Sequence, residues 1–483
     1  MATSYPPKIS PVELEQLKLE VIDWALSHGL IVRPTFEKQQ YFEKNAAVIH
    51  APLSLYPTPF PRAEFYKAKE LQVPWNTLIH HMSKDDLLIK EIMENLAQVD
   101  DFMKRLYDIY IKVNHEGIAQ SATLGIHRCD YLLHADLGSD INMAKIQQVE
   151  FNTIASSFGS LSTRTTELHK YLLSSFDNYG SGQINQDQLP ENHTVETIAK
   201  GIASAWNLYG NKNARVMMIV QSNERNAFDQ RWIEYTLLKN HNIRLIRRSL
   251  DQVIDNGKLD PTTKALYVDD IEVAVTYFRA GYGPEDYHTE KEWEARLMIE
   301  RSLSIKCPTV AYQLVGAKKV QQVLSIPGRL ERYMDGATAA RLRESFTGLY
   351  PLDGSKEGLQ AYEMALEHSD RFVLKPQREG GGNNVYGQDI LKVLNQLSQD
   401  ERNAYILMDL IRTPPLDNLM LREGAIIHGQ VISELGIYGV YLNDGKQEVI
   451  NEIGGHLLRT KGNETKEGGV AAGFAVIDSP LLV

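Results

Sequence analysis

At 483 residues, with 43% apolar and 23% charged side chains, the chain has a globular balance and is too long for one small core, which implies two or three coupled domains. Its formal charge of −11, from 51 basic and 62 acidic residues, counts against a general nucleic-acid binder but leaves room for a few focused Arg and Lys around a small anionic substrate. Two cysteines, Cys129 and Cys307, make neither a disulfide framework nor a CxxC zinc site, and no run of about 18 apolar residues occurs, so a reducing, cytoplasmic setting without membrane association is expected.

In chain order, Ser10, Pro11 and Glu13 form a capping box with proline at the first helical position. Leu14, Leu17, Val21, Ile22 and Trp24 follow at helical spacing, and a mostly helical region continues through residues 84–113. Arg128 is a charged residue inside the apolar run TLGIHRCDYLLH, where the ordinary reading of an arginine is a structural ion pair. Near Gln147 the rhythm changes. QQVEFNTIASSFGSLSTRT reads as a strand, a small-residue turn and a helix from about Thr163. Glu150 and Asn152 share one face of that strand, an arrangement that fits a site or an edge strand facing solvent.

Residues 181–193 read as a polar loop. From about Ala214 to Tyr282 an alternating pattern predicts strands ARVMMIVQ, NIRLIRRS, ALYVDD and VAVTYFRAGY, with a helix around Phe228 to Leu238. This is the pattern of a doubly wound parallel sheet, with ligands at the strand carboxyl ends on the turns QSNERN and FRAGYG. No GxGxxG follows the first strand, so a dinucleotide has little support. The final third mixes helices with antiparallel strands, and Asn443, Asp444 and Gly445 mark a hairpin.

The chemistry is densest in RFVLKPQREGGGNNVYG, residues 371–387, where a buried strand delivers Lys375 to its end and three glycines allow close backbone approach. No Gly-Lys-Ser/Thr follows, so a strand–turn–strand flap over phosphates fits better than a Walker loop. Glu434 sits mid-strand, where burial demands a cation or hydroxyl partner and solvent exposure would demand nothing. Arg459 and Lys461 share a face if their strand continues, ahead of the small-residue loop GGVAAG.

Taken in order, VEFNTIASSFG, QSNERNAFDQR, YFRAGYGPEDY, KCPTVAYQLVGAKKVQQVL, LKPQREGGGNNVYG, YILMDLI, ISELGIYGVY and GHLLRTK with GGVAAGFAVIDSP resemble the signature segments of the eukaryotic glutathione synthetase family. The resemblance implies an α+β and α/β architecture: a permuted ATP-grasp fold with a lid, a doubly wound parallel-sheet substrate domain and a helical N-terminal region. The matching divisions are residues 1–213, 214–317 and 318–483. It also implies a homodimer, two magnesium ions, and ligation of γ-glutamylcysteine to glycine with ATP through an acyl phosphate.

By position, Glu150, Asn152 and Glu379 resemble the family's magnesium ligands, and Lys318 and Lys375 its phosphate-contacting lysines. Gly380 and Gly381, with Asn384 and Tyr386, resemble the triphosphate flap, while Met408, Asp409, Leu410 and Ile411 resemble the adenine hinge. Glu434 matches the ribose-facing acid, and Lys461 and Glu467 the nucleotide-side loop. The dipeptide positions are Ala155, Ser156, Ser157, Phe158, Glu224, Arg225, Asn226, Gln230, Arg279, Ala280, Gly281 and Tyr282, completed by Arg459, Val470 and Ala471. Arg128 would hold the reacting carboxylate beside the γ-phosphate, which makes Arg128, Lys375 and Arg459 the expected catalytic residues. Two rivals remain open at this point: a different amine acceptor such as β-alanine, against which the small Ala471 and Ala472 weigh, and a nucleotide-binding scaffold without catalysis.

Overall fold

The computed structural model describes residues 5–35, 38, 46–136, 138–180, 182–378, 382–465, 469–470, 473 and 475–483. Helix α1 (Pro11–Ser27) begins on the expected capping box: Ser10 accepts from the Glu13 N–H, and the Glu13 carboxylate accepts from the Ser10 N–H at 3.0 Å. After the short strand β1 (Leu53–Ser54), α2 (Arg62–Ser83), α3 (Asp86–Leu96) and α4 (Asp101–Glu116) form a helical layer, with Asp85 and Asp100 accepting the cap hydrogen bonds of α3 and α4. Strands β2 (Thr123–His134) and β3 (Lys145–Asn152) follow, then α5 (Gly159–Ser175) and α6 (Thr194–Tyr209).

The α/β unit comprises β4 (Arg215–Ile219), α7 (Ala227–His241), β5 (Leu245–Arg248), β6 (Ile271–Phe278) and β7 (Ile305–Cys307). These four strands run parallel in the order β5-β4-β6-β7. Val216 and Met218 enter one apolar core while Met217 and Ile219 enter another, so the sheet is covered on both faces as its near-continuous apolar run requires. One expected strand differs in direction. Leu266–Val268 pairs antiparallel with β6, because only Asp269 and Asp270, at φ 51° and 59°, separate the two. A two-residue turn makes a hairpin and is far too short for a parallel crossover.

Helix α8 (Lys318–Leu324) leads to a four-stranded antiparallel sheet of β8 (Leu349–Tyr350), β9 (Phe372–Pro376), β10 (Val385–Tyr386) and β11 (Tyr405–Asp409), ordered β8-β11-β9-β10. Next come β12 (Leu416–Arg422), β13 (Ala425–Asn443), β14 (Glu448–Gly462) and β15 (Val476–Asp478). The Asn443–Gly445 turn joins β13 to β14 as expected, with Gly445 at φ 93°. The central sheet is ordered β12-β1-β15-β14-β13-β2-β3, so it draws strands from both halves of the chain. No helix among the described residues is long and apolar enough to cross a membrane.

At the middle of that sheet, the buried Asp478 carboxylate accepts from Thr58 Oγ1 at 2.5 Å, Thr460 Oγ1 at 2.6 Å and the Ser479 N–H at 2.6 Å. Burial nevertheless pushes its carboxyl up from 3.8 to about 7. A raised carboxyl binds its proton more tightly in the folded state, so its contribution is complete below about pH 4 and is lost as pH rises through about 7. Asp478→Asn should therefore flatten the fall in stability between those limits. Thermal melts of both proteins across the window check this, and parallel curves would contradict it.

Candidate active site

Four neighbouring strands aim their polar side chains at one face. Register places Arg128 opposite Asn152, Asp130 opposite Glu150 and Gly436, and Glu434 opposite Arg459, so β2, β3, β13 and β14 bring these side chains together. The face borders a cavity of about 210 Å³. The buried Arg128 guanidinium grips Asp130 through Nε at 2.6 Å and Nη2 at 2.8 Å, and Nη1 donates to the Ser157 carbonyl at 3.2 Å. Burial opposes its charge, but the facing Asp130 carboxylate more than reverses that and holds the arginine protonated. Arg459 pairs with Asp130 at 2.9 Å and with Glu434. Glu434 therefore has its cation, which resolves the two readings of a mid-strand acid; burial still raises its carboxyl above the usual range.

Two lysines reach in from other elements. The first residue of α8, Lys318, contacts Glu150 at 3.0 Å, and β9 delivers Lys375, which donates to the Val149 carbonyl at 2.9 Å. Burial alone would raise the Glu150 carboxyl; Lys318, Lys375 and Arg459 outweigh it and hold the group ionised, below the usual carboxylate range. Beside it, Asn152 Nδ2 donates to Asp130 at 3.0 Å and to the Arg128 carbonyl at 3.1 Å, which leaves the amide oxygen for another partner.

The opposite wall is the 153–158 turn, where Ala155 and Phe158 hold left-handed backbone at φ 51° and 70°. Helix α5 starts at Gly159, four residues ahead of the expected Thr163. The reason lies in α7: Asp229 accepts the N–H groups of Phe158 at 2.9 Å, Ser160 at 2.8 Å and Leu161 at 3.3 Å. The same buried carboxylate holds Arg279 at 2.9 Å. Arg279 Nε and Nη1 and both polar atoms of the Asn226 amide are buried and make no hydrogen bond among the described residues. Such groups lining a cavity await an acceptor and a donor from a ligand. Asp229→Ala should destabilise the fold by about 3 kcal/mol or more, because it strands a buried guanidinium and uncaps α5. Denaturant unfolding of both proteins measures this, and a loss below about 1 kcal/mol would contradict it.

Of the residues singled out from sequence, Arg128, Glu150, Asn152, Ala155, Ser156, Ser157, Phe158, Glu224, Asn226, Arg279, Tyr282, Lys375, Asn384, Glu434, Arg459 and Val470 line this cavity. Lys318 adjoins it through Glu150, and Tyr386 lies within 3.4 Å of Asn384. Gln230 stands behind Glu224, donating at 3.0 Å, while the Gly281 N–H donates to Asp286 at 2.7 Å in the supporting turn that Ala280 shares. Arg225 instead binds the Arg33 carbonyl at 3.3 Å. Met408 and Asp409 lie on β11, Leu410 and Ile411 follow it, and Lys461 lies on β14; none of these lines the cavity. Glu379, Gly380, Gly381, Glu467 and Ala471 fall outside the described residues. Asp130, Asp229 and Gly436 were not anticipated. A larger crevice of about 950 Å³ lies between α3, α8 and residues 349–364, but its Glu91–Arg329 pair is half exposed, so it lacks the buried charge convergence of the first.

Residues 11–482 match the family described as eukaryotic glutathione synthase, ATP binding domain. Glutathione synthetase from Xenopus laevis is 44% identical over 474 residues, covering 97% of each chain. The Homo sapiens protein of that name is 44% identical over 98% of this chain and 97% of its own, and a chloroplastic one from Solanum lycopersicum is 38% identical over 99% and 86%. A glutathione synthetase-like effector from Globodera pallida, solved in its apo form, shares the fold over the whole of both chains, with a TM-score of 0.78 at 24% identity. On a match that runs nearly end to end, this chain belongs to the eukaryotic glutathione synthase family.

Proposed function

We propose that this cavity ligates γ-glutamylcysteine to glycine, with Arg128, Lys375 and Arg459 acting on the reacting groups. Family membership makes the chain an ATP-dependent ligase of glutathione synthesis. The carrying observation is the Arg128 fork, fixed between Asp130 and the Ser157 carbonyl where the nucleotide-side lysines meet the Arg279 wall. The reading takes the chain as a permuted ATP-grasp enzyme working as a homodimer, with the α/β unit as its dipeptide domain.

A carboxylate does not accept an amine, so it must first be activated. A cysteinyl carboxylate oxygen attacks the γ-phosphorus, the bond to the bridging oxygen breaks, and ADP leaves. Glycine's amine then attacks the acyl carbon, the carbon–oxygen bond to phosphate breaks, and the amine releases a proton. Arg128 neutralises the incoming carboxylate and the transferring phosphoryl, while Lys318 and Lys375 take the phosphate side. Arg279 Nε and Nη1 and the Asn226 side-chain amide, buried and without a hydrogen bond among the described residues, fit the charged and amide groups of the dipeptide. The Glu150 carboxylate and the Asn152 amide oxygen suit Mg²⁺, which takes few protein oxygens alongside substrate phosphates and water. Bound there, Mg²⁺ would neutralise phosphate charge.

The test is ADP release with γ-glutamylcysteine, with and without glycine. Release that needs both amino substrates is expected; release indifferent to glycine, or faster with β-alanine, would overturn the reading.

A further inference from the structure

Asp130 has no solvent exposure and sits where three charged strands converge. One carboxylate takes two hydrogen bonds from Arg128, one from Arg459 Nη2 and one from Asn152 Nδ2. Two like-charged guanidiniums would otherwise repel each other in a cavity of low dielectric. Directly opposite on β13 stands Gly436. A Cβ there would lie 2.7 Å from Arg128 Cδ, 2.7 Å from Asp130 Oδ1 and 3.0 Å from Arg128 Nε. Glycine at this register position keeps open the space that the fork occupies.

We propose that Asp130 is a positioning residue, which clamps Arg128 and Arg459 as a fixed pair and turns the Asn152 amide so that its oxygen faces the metal side. The clamp consumes one edge of the Arg128 guanidinium and leaves the remaining N–H groups of its other edge for the reacting carboxylate. Asp130 itself touches no substrate; it acts through its partners. The inference rests on the proposed function and deepens it.

The experiment compares full-length wild type, Asp130→Asn, Arg128→Lys, the double variant and Gly436→Ala by ADP release at saturating substrates, with nucleotide binding by calorimetry. Asp130→Asn keeps the side-chain shape but removes the charge, and should lower kcat about a hundredfold, as loss of alignment does, while nucleotide affinity stays within about threefold. The double variant should lose little more than the worse single, because both changes strike one unit. Losses that simply multiply would mean a role independent of Arg128 and would overturn the proposal, as would near-normal kcat for Asp130→Asn. Should that variant fail to fold, Gly436→Ala carries the test, since it changes no charge. It should lower kcat about tenfold or more by displacing the fork, with melting within about 5 °C of wild type. Wild-type kcat in Gly436→Ala would overturn the clamp. Failure of wild type itself to respond to dipeptide and glycine would instead remove the functional reading.

Discussion

Arg128→Ala is expected to lower turnover roughly a hundredfold or more at saturating ATP, since one well-placed cationic donor is worth about 3 kcal/mol in such a transition state. The side chain is buried and already bonded to Asp130 and the Ser157 carbonyl, so little rearrangement is needed when negative charge develops beside it. Alanine removes that preorganised charge and leaves Asp130 with Arg459 and Asn152 alone. Arg128→Lys should recover little, because an ammonium cannot span both oxygens of Asp130 and still reach the cavity. Steady-state rates with all three substrates saturating measure the effect. Turnover within threefold of wild type would take Arg128 out of the chemistry.

The second large effect is expected at Glu150. Glu150→Gln keeps the size of the group and removes the charge that faces Lys318 at 3.0 Å and is held ionised by Lys318, Lys375 and Arg459. An amide is a poorer partner for a divalent cation, so the magnesium concentration for half-maximal rate should rise about tenfold or more. Turnover at saturating magnesium should still fall on the order of a hundredfold, because Lys318 loses the carboxylate that orients it and Lys375 a nearby opposite charge. Titrating Mg²⁺ at fixed ATP separates the two effects. A magnesium curve superimposable on that of wild type would show that Glu150 binds no metal.

What could be read from sequence was local, and what could not was held by distant partners. Lys375 and its strand, the Asn443–Gly445 hairpin and the capping box of α1 are written in a few neighbouring residues. The shared face of Glu150 and Asn152 follows from two-residue periodicity alone. Arg128 is legible as a paired arginine, and the pair exists, but the arginine itself lines the cavity, which makes the structural bond part of the site. Nothing local announces Asp229, whose carboxylate caps a helix about 70 residues earlier and moves that helix's start to Gly159. Gly436 is equally silent, since its importance is a volume shared with a neighbouring strand. The antiparallel direction of Leu266–Val268 is not written in its periodicity, which reports burial and not strand direction.

The threading of the central sheet has a consequence for biosynthesis. Asp130 and Arg459, which meet at 2.9 Å, are 329 residues apart, and β15 inserts between β1 and β14 in the interior of the sheet. A nascent chain can finish the 215–307 unit while translation continues, because that unit's strands are contiguous. It cannot assemble the arginine pair until β14, which carries Arg459, leaves the ribosome. Until β12 to β15 are made, β1 and one edge of β2 present unpaired backbone groups, the kind of edge that invites wrong pairing.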